Sequence, residues 1–482
     1  MLDFKYKKMY CLACRYTIVT LYVHNEIYGN YGFGGKMARL TDNTLRSSSK
    51  AIALVSRKRP SVQKGSSKDR LTKVLNHIEV DRPVVDFGGT LVTGVSASTL
   101  SNLKRTLFGE NASPVKVNEP FQMLGMIDEQ LQGILETDVC GVISKTTLFG
   151  FENKDWKPFT LTDGNNVLVP GDFQVTRSPD GGWLIYPQGD RTVPPSGYMP
   201  KNGFYFDAIN RQKPIVEEQL DPADNLAEFS FLTKEEVSYF AEEAKKLSLA
   251  GKGAVFSVPG TGFGDIALVP APWMKRVKGI RDVEEWYVST AMRFDYVYEV
   301  FDRQCEIALK NLEKLIPAIG DNVQAAFTTG TDFGMQNGLF ISPKAYRKLF
   351  MPFHKRINDY IHAHSNWKVF MHSCGSIIDL IPDFIEAGFD IINPVQCSAA
   401  GMDPKTLKKE FGKDITFWGG GVDTQRTLPF GTPDEVYHEV RDRIDIFSQG
   451  GGFVFSSIHN IQTGTPIENI LAMLRAVKDS AK

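Results

Sequence analysis

Eight short apolar runs, each followed by a stretch with helical spacing, limit most strongly what this chain can fold into. The runs cover residues 83–87, 140–143, 254–258, 324–328, 367–371, 391–394, 415–418 and 453–456. Short apolar runs bounded by Gly, Pro and polar clusters read as strands buried on both faces. Helical spacing covers 96–108, 128–136, 234–247, 284–315 (in one or two pieces), 343–364, 377–387, 404–411, 433–447 and 466–477. Ser342 is placed to cap the 343–364 helix, with Pro343 at its first position. Strands alternating with helices imply parallel pairing through right-handed crossovers. Eight such units predict a (β/α)8 TIM barrel. A doubly wound sheet is the alternative. Against it, the first strand–helix turn lacks G-x-G-x-x-G, and the incomplete Gly260-Thr261-Gly262-Phe263-Gly264 comes too late.

Residues 150–212 break the alternation and are rich in Gly, Pro, Asp and Asn. Within them 167–169, 173–175 and 183–186 are β-like, and Ser178-Pro179-Asp180-Gly181-Gly182 is a turn signal between the latter two. This predicts a small antiparallel β insertion after strand 2. Residues 66–482 then form one barrel domain, and 1–65 a poorly ordered N-terminal extension. Three lysines before the apolar stretch 9–23 imitate a signal peptide. Arg15 interrupts that stretch, no small-residue cleavage site follows, and it is too short to span a bilayer. Met37 is a candidate natural start. Cys11 and Cys14 form a lone C-x-x-C with no second pair, which is not read as a metal site.

A formal net charge of −1 gives no support for nucleic acid or an anionic membrane as partner. Six cysteines in 482 residues are too sparse for a disulfide framework, so a reducing, cytoplasmic location is expected.

In a TIM barrel, functional groups collect at the C-terminal ends of the strands. Strand 4 ends at Asp332 and Gln336, and strand 5 at His372 and Cys374. Strand 6 ends at Gln396 and Cys397, strand 7 at Asp423 and strand 8 at His459. His372 and Cys374 are one residue apart, so on an extended backbone both point the same way. An imidazole and a thiolate on one side of a strand end can share a Zn²⁺. His459 is the expected third ligand, leaving a fourth position open as a catalytic zinc requires. A rim residue binding an anionic substrate is its other reading. Cys397 is an alternative ligand, or a small packed side chain. Asp332 reads as support for a ligand, a substrate contact or a loop cap. Asp332 and His459 are the candidate catalytic residues; Gln336, Gln396 and Asp423 are candidate substrate contacts. Asp423 and Gln425 share the ambiguity of Asp332, and Asp86, inside strand 1, reads equally well as structural.

From about residue 70 onward the chain resembles the superfamily of uroporphyrinogen decarboxylase and the cobalamin-dependent methyltransferases. The resemblance is carried by Thr331-Asp332-Phe333-Gly334, His372-Ser373-Cys374-Gly375-Ser376, Asn393-Pro394-Val395-Gln396, Phe417-Trp418-Gly419-Gly420-Gly421-Val422-Asp423 and the 450–461 segment. In the methyltransferases a His-x-Cys pair and a later Cys hold zinc. His372 and Cys374 match the pair, and His459 stands in the place of the later Cys. The decarboxylases carry Gly-His-Gly there, but nothing in 70–100 matches their Arg-rich carboxylate-binding segment. The resemblance therefore implies a methyltransferase-like member. It would hold Zn²⁺ and move a methyl group between a corrinoid supplied by a partner protein and a thiol or similar small-molecule acceptor. Metal-free porphyrinogen decarboxylation and a non-catalytic corrinoid or porphyrin binder are the alternatives.

Overall fold

The computed structural model describes residues 65–481. The extension expected over 1–65, with Cys11, Cys14 and Met37, lies outside the described residues but for Gly65. The barrel strands are β1 (Val84–Val85), β2 (Val139–Val142), β3 (Gly253–Ser257), β4 (Ala325–Thr329), β5 (Lys368–His372), β6 (Ile391–Asn393), β7 (Thr416–Trp418) and β8 (Phe453–Phe455). They form one sheet in the order β1-β8-β7-β6-β5-β4-β3-β2, every neighbouring pair parallel. The two ends of that order meet at Asp138, whose N–H donates to the Val85 carbonyl at 2.9 Å. The Asp138 carboxylate in turn accepts the Val85 N–H at 2.9 Å. The sheet thus closes into the (β/α)8 TIM barrel that the alternation predicts.

The pleat sorts side chains onto two cores. One residue per strand, from Val84 and Val139 to Trp418 and Val454, fills the lumen together with Leu71, Val74 and Leu75. Those three leucine and valine side chains come from the helix Ser67–Leu75, which plugs the floor where the strands begin. Residues one step along each strand, such as Val85, Val369, Met371 and Phe417, pack outward under the helices. Alternation of this kind puts every second residue of a strand on the same side.

The floor holds a buried ionic cluster. Asp138 is 0% exposed, and its carboxylate meets Arg82 at 2.5 and 2.7 Å, Arg70 at 3.1 Å and the Ser67 hydroxyl at 2.7 Å. With the Val85 N–H, both oxygens are fully used, as a buried charge requires.

Several elements depart from expectation. The 343–364 segment is two helices, Pro343–Leu349 and Met351–His364. Pro352 has no N–H to donate and its ring blocks an unbroken ladder. The 284–315 segment, read as one or two pieces, is two, Val283–Met292 and Phe294–Ile319, parted at Arg293. The guanidinium of Arg293 is held there by Glu217 and Glu285. The run expected at 173–175 begins only at Val175, because Phe173 turns inward against Phe151 and Phe206. A hairpin, Val117–Glu119 with Leu124–Gly125, was not legible in the sequence.

After β2 the chain forms an antiparallel pair, Lys157–Thr160 with Asn166–Val169. A four-stranded meander follows: Val175–Arg177, Trp183–Ile185, Gly197–Met199 and Asp207–Ala208. Gln188 donates to the Trp273 carbonyl at 3.2 Å, and Arg211 to those of Met274 and Ala271 at 2.6 and 2.7 Å. Phe149 lies 6.0 Å from Phe121 of the 117–125 hairpin. Ala271, Trp273 and Met274 belong to the segment that leaves the C-terminal end of β3, and the 117–125 hairpin bridges through Leu124 to Ser96, the cap of the helix that follows β1.

Candidate functional site

β5 ends inside the barrel. Phe370 faces the lumen, its ring stacked 5.0 Å from Trp418. Met371 faces out, so the pleat returns His372 to the lumen side. His372 is 3% and Cys374 5% exposed, and Cys374 Sγ lies 3.3 Å from His372 Nε2. His459 joins them from the loop after β8, its ring 5.3 Å from that of His372. One ligand atom from each of the three lies within 4.8 Å of the other two. Sequence neighbours and a residue 85 positions further on thus converge on one point at the mouth.

The hydrogen bonds orient each group. Asn393 donates through Nδ2 to the Trp418 carbonyl at 2.8 Å, which turns its Oδ1 toward His372 Nδ1 at 2.5 Å. Nδ1 of His372 is therefore the protonated nitrogen, and Nε2 presents its lone pair to Cys374. Cys374 N–H donates to Asp332 Oδ1 at 2.7 Å. Phe333 N–H, beside it, donates to Ser373 Oγ at 2.9 Å. The loops after β4 and β5 are so close that a Cβ on Gly375 (φ +86) would come within 2.4 Å of the Gly334 backbone. Only glycine fits there. On the other side, Asn460 N–H donates to His459 Nδ1 at 2.8 Å. His459 itself sits at φ 67, with Asn460 tied to Leu91 and Gln122 at 2.9 and 2.8 Å.

Among the described residues, no Lys or Arg is among the groups that shift Cys374, His372, His459 or Asp265. Burial, then the Asp332 charge, pushes the Cys374 thiol well above its usual range. Burial pulls the His372 imidazole down, against the opposing pull of Asp332 and Asn393. Burial and the neighbouring His372 hold His459 down at about 3. Asp265, on the loop after β3, is pushed up to about 6 by burial and by Asp332. Among the described residues no Lys or Arg forms an ion pair with Asp332 or Asp265. A thiol, two neutral imidazoles and a carboxylate are donors without a counter-charge, and a dication would reverse the thiol's preference. The donor chemistry therefore fits a zinc ion, with His372 meeting the requirement best: Nδ1–H is bonded outward to Asn393, and the Nε2 lone pair faces Cys374 Sγ.

The remaining expected site residues have other company. Gln396 Oε1 accepts the Gly375 N–H at 2.9 Å, and its Nε2 donates to Gln336 Oε1 at 3.0 Å. Gln336 Nε2 donates on to the Ser398 carbonyl at 2.5 Å. Both glutamine amides thus brace the loop that carries Cys374. Asp423 Oδ1 accepts the N–H groups of Gln425 and Arg426 at 2.7 and 3.3 Å, capping a turn. Cys397 packs against Gly420 and donates to the Val395 carbonyl at 3.3 Å. Burial pushes its thiol up to about 12, and it is not among the clustered donors. Asp86 faces the lumen and accepts from Trp418 Nε1 at 2.8 Å and Gly89 N–H at 2.7 Å. Sequence reasoning missed Asn393, Asn460 and Asp265. The first sits at a strand end beside β5 in the sheet order, a signal that was available. The other two depend on loop paths that no local pattern announces.

Residues 266–480 match the family model of uroporphyrinogen decarboxylase (URO-D). This chain carries a URO-D domain. All of the clustered donors and Asp332 lie inside it, whereas the β meander lies before it. Among curated proteins, the methylated-thiol–coenzyme M methyltransferase of Methanosarcina mazei is 29% identical over 141 residues. That match covers 29% of this chain and 34% of the relative, so it spans about a third of that protein's length. Among solved structures, a methyltransferase from Methanosarcina mazei overlaps with a TM-score of 0.49 at 14% identity, covering 86% of this chain and 99% of that one. A GH113 β-1,4-mannanase overlaps at a TM-score of 0.28 and 11% identity, covering 51% and 81%. No helix among the described residues is long and apolar enough to cross a membrane.

Proposed function

We propose that this protein is a zinc-dependent methyltransferase that moves a methyl group between a corrinoid, carried by a partner protein, and a thiol or similar small acceptor. The observation that carries the reading is the His372–Cys374 pair, 3.3 Å apart at the barrel mouth with the outer nitrogen of His372 already bonded to Asn393. The identity with a methylated-thiol–coenzyme M methyltransferase supports the reaction class. His372 and Cys374 would hold the ion, with His459 clustered beside them and Asp332 Oδ1 standing 3.9 Å from His372 Nε2. Bound there, zinc supplies a Lewis acid that keeps an acceptor thiol as thiolate at neutral pH. The chain's own part is to orient. Asn393 sets the His372 tautomer, Asp332 and Gly375 set the Cys374 loop, and the lumen below, closed by Phe370 and Trp418, keeps water from the rear of the site.

Porphyrinogen decarboxylation fits less well. Its substrate is a polycarboxylate, which the neighbouring carboxyl groups of Asp332 and Asp265 would repel.

The test is metal content of protein purified anaerobically, followed by methyl transfer from free methylcobalamin to a panel of thiols. About one zinc per chain and zinc-dependent loss of the methyl donor are expected. A metal-free protein that decarboxylates uroporphyrinogen would overturn the reading.

A further inference from the structure

Two groups beside the His372–Cys374 pair, His459 and Asp332, compete to complete it, and their hydrogen bonds separate them. His459 is close enough, but its Nδ1 accepts the Asn460 N–H at 2.8 Å. A ring that accepts at Nδ1 is neutral and carries its proton on Nε2. Nε2–H is a donor and has no lone pair for a metal. Turning the ring over to free a nitrogen would leave the N–H of Asn460, a residue 1% exposed, without a partner. Asn460 is held by Leu91, Gln122 and Gly94, so it cannot follow the ring.

Asp332 has the opposite character. Its Oδ1 accepts the Cys374 N–H at 2.7 Å and stands 3.9 Å from His372 Nε2. The carboxylate also contacts the Cys374 thiol. The residue is placed by its neighbours: Thr331 Oγ1 donates to the Phe263 carbonyl at 2.7 Å, and Phe333 N–H donates to Ser373. Carboxylate, thiolate and neutral imidazole are together a dianionic set, which balances a dication.

We infer that Asp332, not His459, completes the zinc ligand set with His372 and Cys374, and that His459 serves the site as a hydrogen-bond donor through Nε2–H. This rests on the zinc reading proposed above and deepens it. His459 then faces whatever anion occupies the open position, where a fixed donor stabilises a thiolate without competing for the metal.

The experiment is X-ray absorption on the full chain loaded with one equivalent of Zn²⁺, with chelator competition on the wild type, Asp332→Asn and His459→Gln. One sulfur, one imidazole and the balance oxygen are expected. Asp332→Asn should weaken zinc binding roughly 100-fold, whereas His459→Gln, which keeps an N–H donor, should change it by less than about threefold. Two imidazoles in the zinc spectrum, or a loss in His459→Gln equal to that in Asp332→Asn, overturns the assignment while leaving a zinc enzyme. A natively folded protein that takes up no zinc overturns the parent reading instead. A metal-free readout stands beside these. In ¹⁵N-histidine spectra the signals lost in His459→Gln should be those of an Nε2–H tautomer; an Nδ1–H pattern contradicts the inference.

Discussion

The two ends of the barrel each bury a cluster of ionisable groups, and they are built on opposite principles. At the floor, Asp138 meets two guanidiniums, a hydroxyl and a backbone N–H, and every lone pair is used. At the mouth, Cys374, His372, His459 and Asp332 are brought together with no cation among them. A cluster that balances itself contributes to folding and closure. A cluster that does not balance itself tolerates its own repulsion only because the surrounding loops hold it, and it is ready for a charge from outside. The barrel spends its ionic pairing where the chain must close and withholds it where chemistry is to occur.

The largest effect should come from breaking the balanced end. Asp138→Ala strands Arg70 and Arg82 in the floor and should cost about 3–5 kcal/mol, read by urea denaturation. Cys374→Ala in metal-free protein should cost only about 1 kcal/mol. Equal midpoints for the two variants would erase the contrast between the ends.

Next in size is the response of the mouth to a cation. Zinc at a hundred times its Kd should raise the unfolding free energy by roughly 2.7 kcal/mol. Thermal unfolding with and without zinc should show that gain vanish in Cys374→Ala and persist in Cys397→Ala. If both variants lose it alike, the wrong sulfur has been assigned.

A third prediction concerns the apolar shoulder behind the mouth. His354 is buried among Phe263, Phe333 and Phe389, and burial holds its imidazole down at about 3. The unfolded chain takes up this proton near pH 6.5 while the folded one refuses it. The stabilising contribution is therefore complete above pH 6.5 and is lost as pH falls toward 3, by roughly 2 kcal/mol at pH 5. His354→Phe should flatten that part of the stability–pH curve. An unchanged slope would mean that the shoulder is more polar than its packing indicates.

The smallest effect should come from the brace. Gln396→Ala unpairs the Gly375 N–H and should cost about 1 kcal/mol, while zinc affinity falls about tenfold because the Cys374 loop loses its orientation. A stability loss with unchanged zinc affinity would make Gln396 a packing residue and no more.

What the sequence determined by itself was the barrel and the pair. Period-2 and period-3.6 patterns act locally, so eight strands, their helices and their order could be read directly, including the cap at Ser342. The one-residue spacing of His372 and Cys374 likewise put both on the lumen side without any tertiary information. Helix breaks at Phe350 and Arg293 were partly hidden, because one depends on a proline two residues on and the other places a guanidinium between Glu285 and the far-off Glu217. Only the tertiary structure decided which far-off groups reach the pair. His459 and Asp332 arrive on loops separated from β5 by tens of residues, and Gln336, Gln396 and Asp423, all polar and all at strand ends, are assigned to bracing or capping by partners in other loops. Residue type and spacing specify what a side chain is able to bind. Which partner it finds is set by loop–loop contacts, whose geometry depends on packing across the whole mouth and leaves no period in the chain.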